Sequence, residues 1–135
     1  MIEPPCSGFV ILDLERGETV LVCTDSDNYS FPKGKRHKGE KSFDVALRET
    51  EEETGLKGGY DFDIIDHLYF DEQSNRGNIA TRYYVGILKD GKCDLSFDPK
   101  ELKTVCWIKY EDVFELEKFK DRRKAILKEV IDRIQ

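Results

Sequence analysis

An α+β or α/β sandwich, with one domain spanning residues 1–135, is the fold this sequence predicts. Apolar runs recur at strand spacing, two further segments carry a helical period, and no linker, repeat or low-complexity stretch divides them. Residues 8–12 and 19–23 are β-rich runs joined by a turn at Glu15-Arg16-Gly17. Residues 25–29 form a polar loop, and a helix follows. Residues 61–70, 80–89 and 104–110 read as later strands, connected by a loop at 71–78 and a segment at 90–102. From about Asp112 the tail reads as helix, with Phe119, Ile126, Leu127, Val130, Ile131 and Ile134 as its apolar stripe.

The first helix carries the chemistry. Ser42 is its candidate N-cap, Asp44 favours its first turn and Gly55 is a natural C′ stop. Phe43, Ala46, Leu47 and Thr50 make a stripe that faces the core. Glu49, Glu52 and Glu53 stand at i, i+3 and i+4, which at about 100° per residue places them on one face. Like charges so crowded repel, and a solvated acidic face is the bland explanation. Glycines fixed at both ends and a lone Arg48 among the glutamates favour a sharper one: a face for a hard divalent cation, Mg²⁺ or Mn²⁺, which prefers oxygen ligands.

Residues 34–56 read Gly34, five residues, Glu40, seven residues, then Arg48-Glu49-Thr50-Glu51-Glu52-Glu53-Thr54-Gly55-Leu56. This stretch resembles the signature box of the Nudix hydrolases, Gly-x5-Glu-x7-Arg-Glu-U-x-Glu-Glu-x-Gly-U with U aliphatic. One defined position departs: Thr50 stands where an aliphatic residue is usual, on the core stripe. The resemblance implies a mixed central sheet between helices, with the signature loop-helix-loop at one edge. It implies metal ligands at Glu49, Glu52 and Glu53, an orienting role for Arg48, and a supporting or outer metal role for Glu40. A glutamate similar to Glu101 adds a metal contact or serves as base in several members. Family members differ in which glutamate takes the proton from water; here Glu53 is the first candidate and Glu101 the second. The implied reaction is hydrolysis of a pyrophosphate bond in a nucleoside diphosphate linked to a group X.

The loop before the helix, Lys33-Gly34-Lys35-Arg36-His37-Lys38-Gly39-Glu40, packs five potentially cationic side chains into six residues. Gly34 and Gly39 permit close backbone approach to a phosphate. Lys33 and Lys35 flank Gly34 and are the stronger phosphate candidates; Arg36, His37 and Lys38 are as easily solvated. His67, in a strand pattern, reads as structural. Phe31-Pro32-Lys33-Gly34-Lys35, Thr81 to Tyr84, Glu101, Trp107 and Phe119-Lys120 together resemble the asymmetrical diadenosine tetraphosphate hydrolases. That resemblance implies cleavage to ATP and AMP, with Tyr84, and less strongly Phe119, stacking on adenine. The alternatives are mRNA decapping or RNA 5′-pyrophosphohydrolysis, other nucleotide pyrophosphatases, and a non-catalytic nucleotide sensor, which would have lost a helix carboxylate. Diphosphoinositol phosphatases show a glycine triplet that this chain lacks, and the ADP-ribose class a proline it lacks.

Composition sets the outer bounds. Twenty-eight acidic against 22 basic residues give a net charge of −6, which disfavours generic binding of long nucleic acid but tolerates a metal-bridged nucleotide or a capped RNA end. Nothing at the N-terminus reads as a leader and no stretch reads as a membrane span, so the expected location is the cytosol or nucleus, with Cys6, Cys23, Cys93 and Cys106 as reduced thiols.

Overall fold

In the computed structural model, which describes residues 3–24, 26–89 and 94–135, the elements run β1 (Cys6–Asp13), β2 (Glu18–Cys23), β3 (Tyr29–Ser30), β4 (Lys33–Lys35), α1 (Ser42–Thr54), β5 (Phe62–Gln73), β6 (Ile79–Leu88), β7 (Thr104–Lys109), α2 (Tyr110–Phe114) and α3 (Asp121–Ile134). The sheet is mixed, in the order β3-β2-β1-β6-β5, with β4 also paired to β1 and β7 to β2. β1 and β6 run parallel, and the other strand pairs are antiparallel.

Strand alternation divides the core into two layers. Val10 and Leu12 of β1 join Leu21, Tyr83, Val85, Leu127 and Val130 on the α3 side. Their neighbours Phe9 and Ile11 join Val20, Val22, Ala46, Leu56 and Phe62 on the α1 side. Successive side chains of a strand point to opposite faces, so one buried strand feeds both layers. The sandwich read from the sequence is the one observed. Among the described residues, no helix is long and apolar enough to cross a membrane.

Several local readings change. The N-cap of α1 is Lys41, in extended conformation and without a side-chain cap bond, and Ser42 is already helical. Its hydroxyl is instead 2.6 Å from the Tyr84 hydroxyl, a tertiary contact that outweighs local capping. Gly55 does end the helix, at φ +80, and its N–H donates to the Glu51 carbonyl at 2.8 Å. The tail is two helices rather than one. α2 stops at Phe114, and the connection before α3 is drawn into tertiary bonding, with the Lys118 carbonyl accepting from the Tyr29 N–H at 3.0 Å. β5 runs three residues past its expected end, and the short β3 and β4 carry too few residues to show a period. Cys93 and part of the segment 90–102 lie outside the described residues.

Phe119 requires a correction of role. It is 2% exposed, and its ring meets Phe31 edge-on at 5.2 Å between centroids. With no free face it cannot stack on a base. An aromatic just before an amphipathic helix is core here because Phe31 and the α3 stripe close over it.

Thr50 is fully buried, and among the described residues its hydroxyl has no hydrogen-bond partner. A lone buried hydroxyl costs stability that a methyl group of the same shape does not. Thr50→Val should raise the unfolding free energy by about 1 kcal/mol, measured by denaturant titration. A fall in stability would show that the hydroxyl has a partner.

Candidate active site

Close packing puts the acidic face of α1 against β4. A Cβ at Gly34 would lie 1.8 Å from Glu49 Oε2, so any larger residue here would push the Glu49 carboxylate out of its place. One residue earlier, the Lys33 backbone N–H donates to Glu53 Oε1 at 2.9 Å. This bond comes from the main chain of the lysine, a role no side-chain pattern could reveal. β4 pairs with β1 through Gly8↔Lys33, Ser7↔Gly34 and Cys6↔Lys35, which fixes the loop end of the site to the centre of the sheet.

Arg48 ties the rest together. Its guanidinium donates to both Glu40 carboxylate oxygens at 2.9 Å, to Glu49 at 2.9 Å, to the Lys35 carbonyl at 3.0 Å, and more loosely to Glu52 at 3.4 Å. Bidentate guanidinium–carboxylate geometry is the strongest form of such a contact. The Arg48 guanidinium, then the His37 N–H, draws the half-buried Glu40 carboxyl down to about 2. The Arg36 Nε donates to the Glu40 carbonyl at 2.6 Å. Arg36 and His37 therefore brace Glu40 within the loop.

The helix carboxylates are shifted the other way. Burial, and secondarily Glu52, raises the Glu49 carboxyl against the pull of Arg48. Burial pushes Glu53 up to about 7; the Lys33 N–H opposes this, while Glu49 and then Glu101 add to the rise. Glu101, in an exposed turn before β7, thus comes within electrostatic reach of Glu53. The structure brings Glu40, Arg48, Glu49, Glu52 and Glu53 into one network, with Lys33, Gly34 and Lys35 along its edge.

Tyr84 faces the α1 side, as alternation with the fully buried Tyr83 requires. Phe43 meets its ring edge-on at 5.2 Å, and the two line a cavity of about 350 Å³ with Ile64, Asp66, His67 and Tyr69. His67 sits exposed in a bulge of β5 at φ +60. The bulge switches the strand's inner face: Phe62 and Ile64 pack in the α1 layer, and Leu68 and Phe70 in the α3 layer.

Among the described residues, no three His, Cys, Asp or Glu side chains converge as a ready-made metal cluster. Glu49 and Glu52 are held by Arg48, and Glu53 by the Lys33 N–H. The donor chemistry nevertheless fits a hard divalent cation: oxygen ligands only, on one helix face, where burial first and the neighbouring carboxylates next raise Glu49 and Glu53.

The shift on Glu53 has a thermodynamic consequence. A carboxyl raised on folding binds more protons in the native state between about pH 4.5 and 7. Its contribution to stability therefore falls as pH rises through that window. Glu53→Gln keeps an oxygen for the Lys33 N–H and removes the charge. In metal-free buffer the variant should be more stable than wild type at pH 8, by up to about 3 kcal/mol. The difference should shrink toward pH 5 in denaturant titrations; a constant difference would refute the shift.

The "NUDIX domain" family model matches residues 4–130. The Caenorhabditis elegans "m7GpppN-mRNA hydrolase" is 33% identical over 115 residues, 81% of this chain and 14% of that protein. The Schizosaccharomyces pombe "mRNA decapping complex subunit 2" is 30% identical over 129 residues, 92% of this chain and 16% of that protein. The chain thus spans about a sixth of the length of these relatives. Among solved structures, a C. elegans Ap4A hydrolase binary complex superposes with a TM-score of 0.83 at 20% identity, covering 96% of this chain and 97% of that one. A MutT protein from Methanosarcina mazei superposes at 0.70 and 17% identity, covering 100% of this chain and 99% of that one. Such low identities speak for the fold alone. With the signature box matched at every defined position but Thr50 and the family model spanning both layers of the sandwich, this chain belongs to the NUDIX domain family.

Proposed function

We propose that this domain hydrolyses a pyrophosphate bond in a nucleoside diphosphate linked to a further group. One observation carries the proposal: the Lys33 N–H holds the Glu53 carboxyl at 2.9 Å on the same helix face as Glu49 and Glu52, which Arg48 ties to the loop before the helix. Glu53 takes the proton from the attacking water, and Glu101 is the second carboxylate in electrostatic reach. Arg48 keeps Glu49 and Glu52 oriented, and Lys33 and Lys35 border the path of the phosphate chain. Mg²⁺ or Mn²⁺ held by Glu49, Glu52 and Glu53, with Glu101 as a further ligand, would supply charge neutralisation at the phosphate oxygens.

Two substrate readings share one chemical core: two nucleosides joined 5′ to 5′ through a polyphosphate. Diadenosine tetraphosphate, cut asymmetrically to ATP and AMP, is favoured by the Phe31-Pro32-Lys33-Gly34-Lys35 run and by Tyr84 at the edge of a base-sized aromatic cavity. A capped RNA end is favoured by 33% and 30% identity, over most of this chain, to relatives named for decapping. The shared core is the substrate class we assign.

A panel of diadenosine tetraphosphate, capped RNA and ADP-ribose, with products identified by mass, tests this. Divalent-dependent cleavage of a 5′–5′ polyphosphate is expected. Glu53→Gln should lower kcat by about 10²- to 10⁴-fold with little change in KM. No turnover of either 5′–5′ substrate would refute the reading, and binding without turnover would install the nucleotide-sensor alternative.

A further inference from the structure

β5 closes one side of the sheet, and its outer edge is open. Among the described residues, no backbone bond reaches residues 69–72 from that side, and the Gln73 carbonyl accepts from the Arg122 guanidinium. A long open edge invites pairing, and proteins commonly blunt it with bulges or charges. The bulge between Ile64 and Tyr69 blunts the first half of β5. In the second half the charges are already matched. Arg82 donates to Asp71 at 2.8 and 3.1 Å, and the buried Glu72 accepts from Arg123 Nε and the Tyr83 hydroxyl, each at 3.0 Å. Tyr69, 46% exposed, leaves an aromatic ring on this unguarded stretch.

Beside the open edge, α3 walls a groove of about 730 Å³, lined by Phe70, Glu72, Arg122, Ile126, Glu129 and Arg133. Roughly three turns of helix separate Arg122 from Arg133, about 16 Å, and five residues of strand extend about 17 Å. Arg133 meets no carboxylate among the described residues; its guanidinium lies 5.9 Å from the Phe70 centroid. Arg122 donates to neutral oxygens, the Gln73 carbonyl and Asn75 Oδ1, and its Nε stands 3.8 Å from a Glu72 already held by Arg123. Glu129 adds one carboxylate. Two guanidiniums against one unmatched acid leave the groove positive, in a chain whose net charge is −6.

An extended segment laid along β5 satisfies edge and groove together. Its backbone pairs with residues 69–72, and its alternate side chains turn toward α3. Carboxylates at its first and fifth positions meet Arg122 and Arg133. Phe70 and Ile126 offer an apolar floor to the third, where Glu129 repels a negative charge. A second copy of this chain is the poorer occupant. Its β5 would bring Phe70 and a Glu72 already bound within its own chain, and no free carboxylate for either arginine. We propose that β5 and α3 form a docking groove for an acidic segment of a partner protein, added as a strand with the pattern acid-x-aliphatic-x-acid.

Fluorescence anisotropy with a labelled peptide, Glu-Thr-Val-Thr-Glu capped at both ends, tests this on the full chain. Saturable binding is expected. Arg133→Glu should weaken it by roughly 2- to 30-fold, since reversal both removes an exposed ion pair and adds a repulsion, with melting unchanged. Replacing both peptide acids by lysine should abolish binding, and so should N-methylation at alternate residues, which removes the strand's backbone donors. No saturable binding, equal binding of the lysine or N-methylated peptide, or indifference to Arg133→Glu overturns the proposal. A dimer in sedimentation that Arg133→Glu dissolves would assign the groove to a second copy and overturn it too.

Discussion

Mutual repulsion among the carboxylates of α1 is the constraint on which the site depends. Glu49, Glu52 and Glu53 share a face; burial raises the Glu49 and Glu53 carboxyls, and the neighbouring carboxylates add to the rise. Two local devices keep the arrangement folded. Arg48 spreads one positive charge over Glu40, Glu49 and Glu52, and the Lys33 N–H holds Glu53 by its backbone. Both act on loop and helix together, because Arg48 also grips the Lys35 carbonyl and Gly34 lets β4 lie against Glu49. Removing Arg48 would expose the repulsion and free the loop at once.

The sheet delivers this geometry. Its centre is β1, buried on both faces, with Phe9 and Ile11 serving the α1 layer and Val10 and Leu12 the α3 layer. β4 pairs with β1 directly, so the chain carrying Lys33 and Gly34 is registered to the most rigid part of the molecule. On the far layer, Glu72 is buried with the Tyr83 hydroxyl and Arg123 Nε each donating to it at 3.0 Å, which locks β5, β6 and α3 to one another. Sites placed on such elements are held more closely than sites on free loops.

Periodicity is a property of runs, and what the sequence revealed follows from that. The strands from Phe9 to Trp107 and the face of α1 were legible because several residues repeat at a fixed spacing, and the signature box added fixed glycines and a lone arginine. Ser42 misled because capping preference is local while its Tyr84 contact spans 42 residues. Phe119 misled because burial depends on Phe31, far away in the chain. β3 and β4 were too short to show a period, and the left-handed turn at His67 leaves no mark in composition.

Thermal melting in the presence of Mn²⁺ tests most directly the claim that the α1 face is a metal face. A ligand that binds only the folded chain stabilises it by about 2.7 kcal/mol at a hundredfold excess over Kd. Wild type should melt higher as Mn²⁺ is added at pH 7.5, and Glu49→Gln, which removes one half-buried carboxylate from the face, should lose most of that gain. An equal rise in both proteins, or none in wild type, would contradict the account.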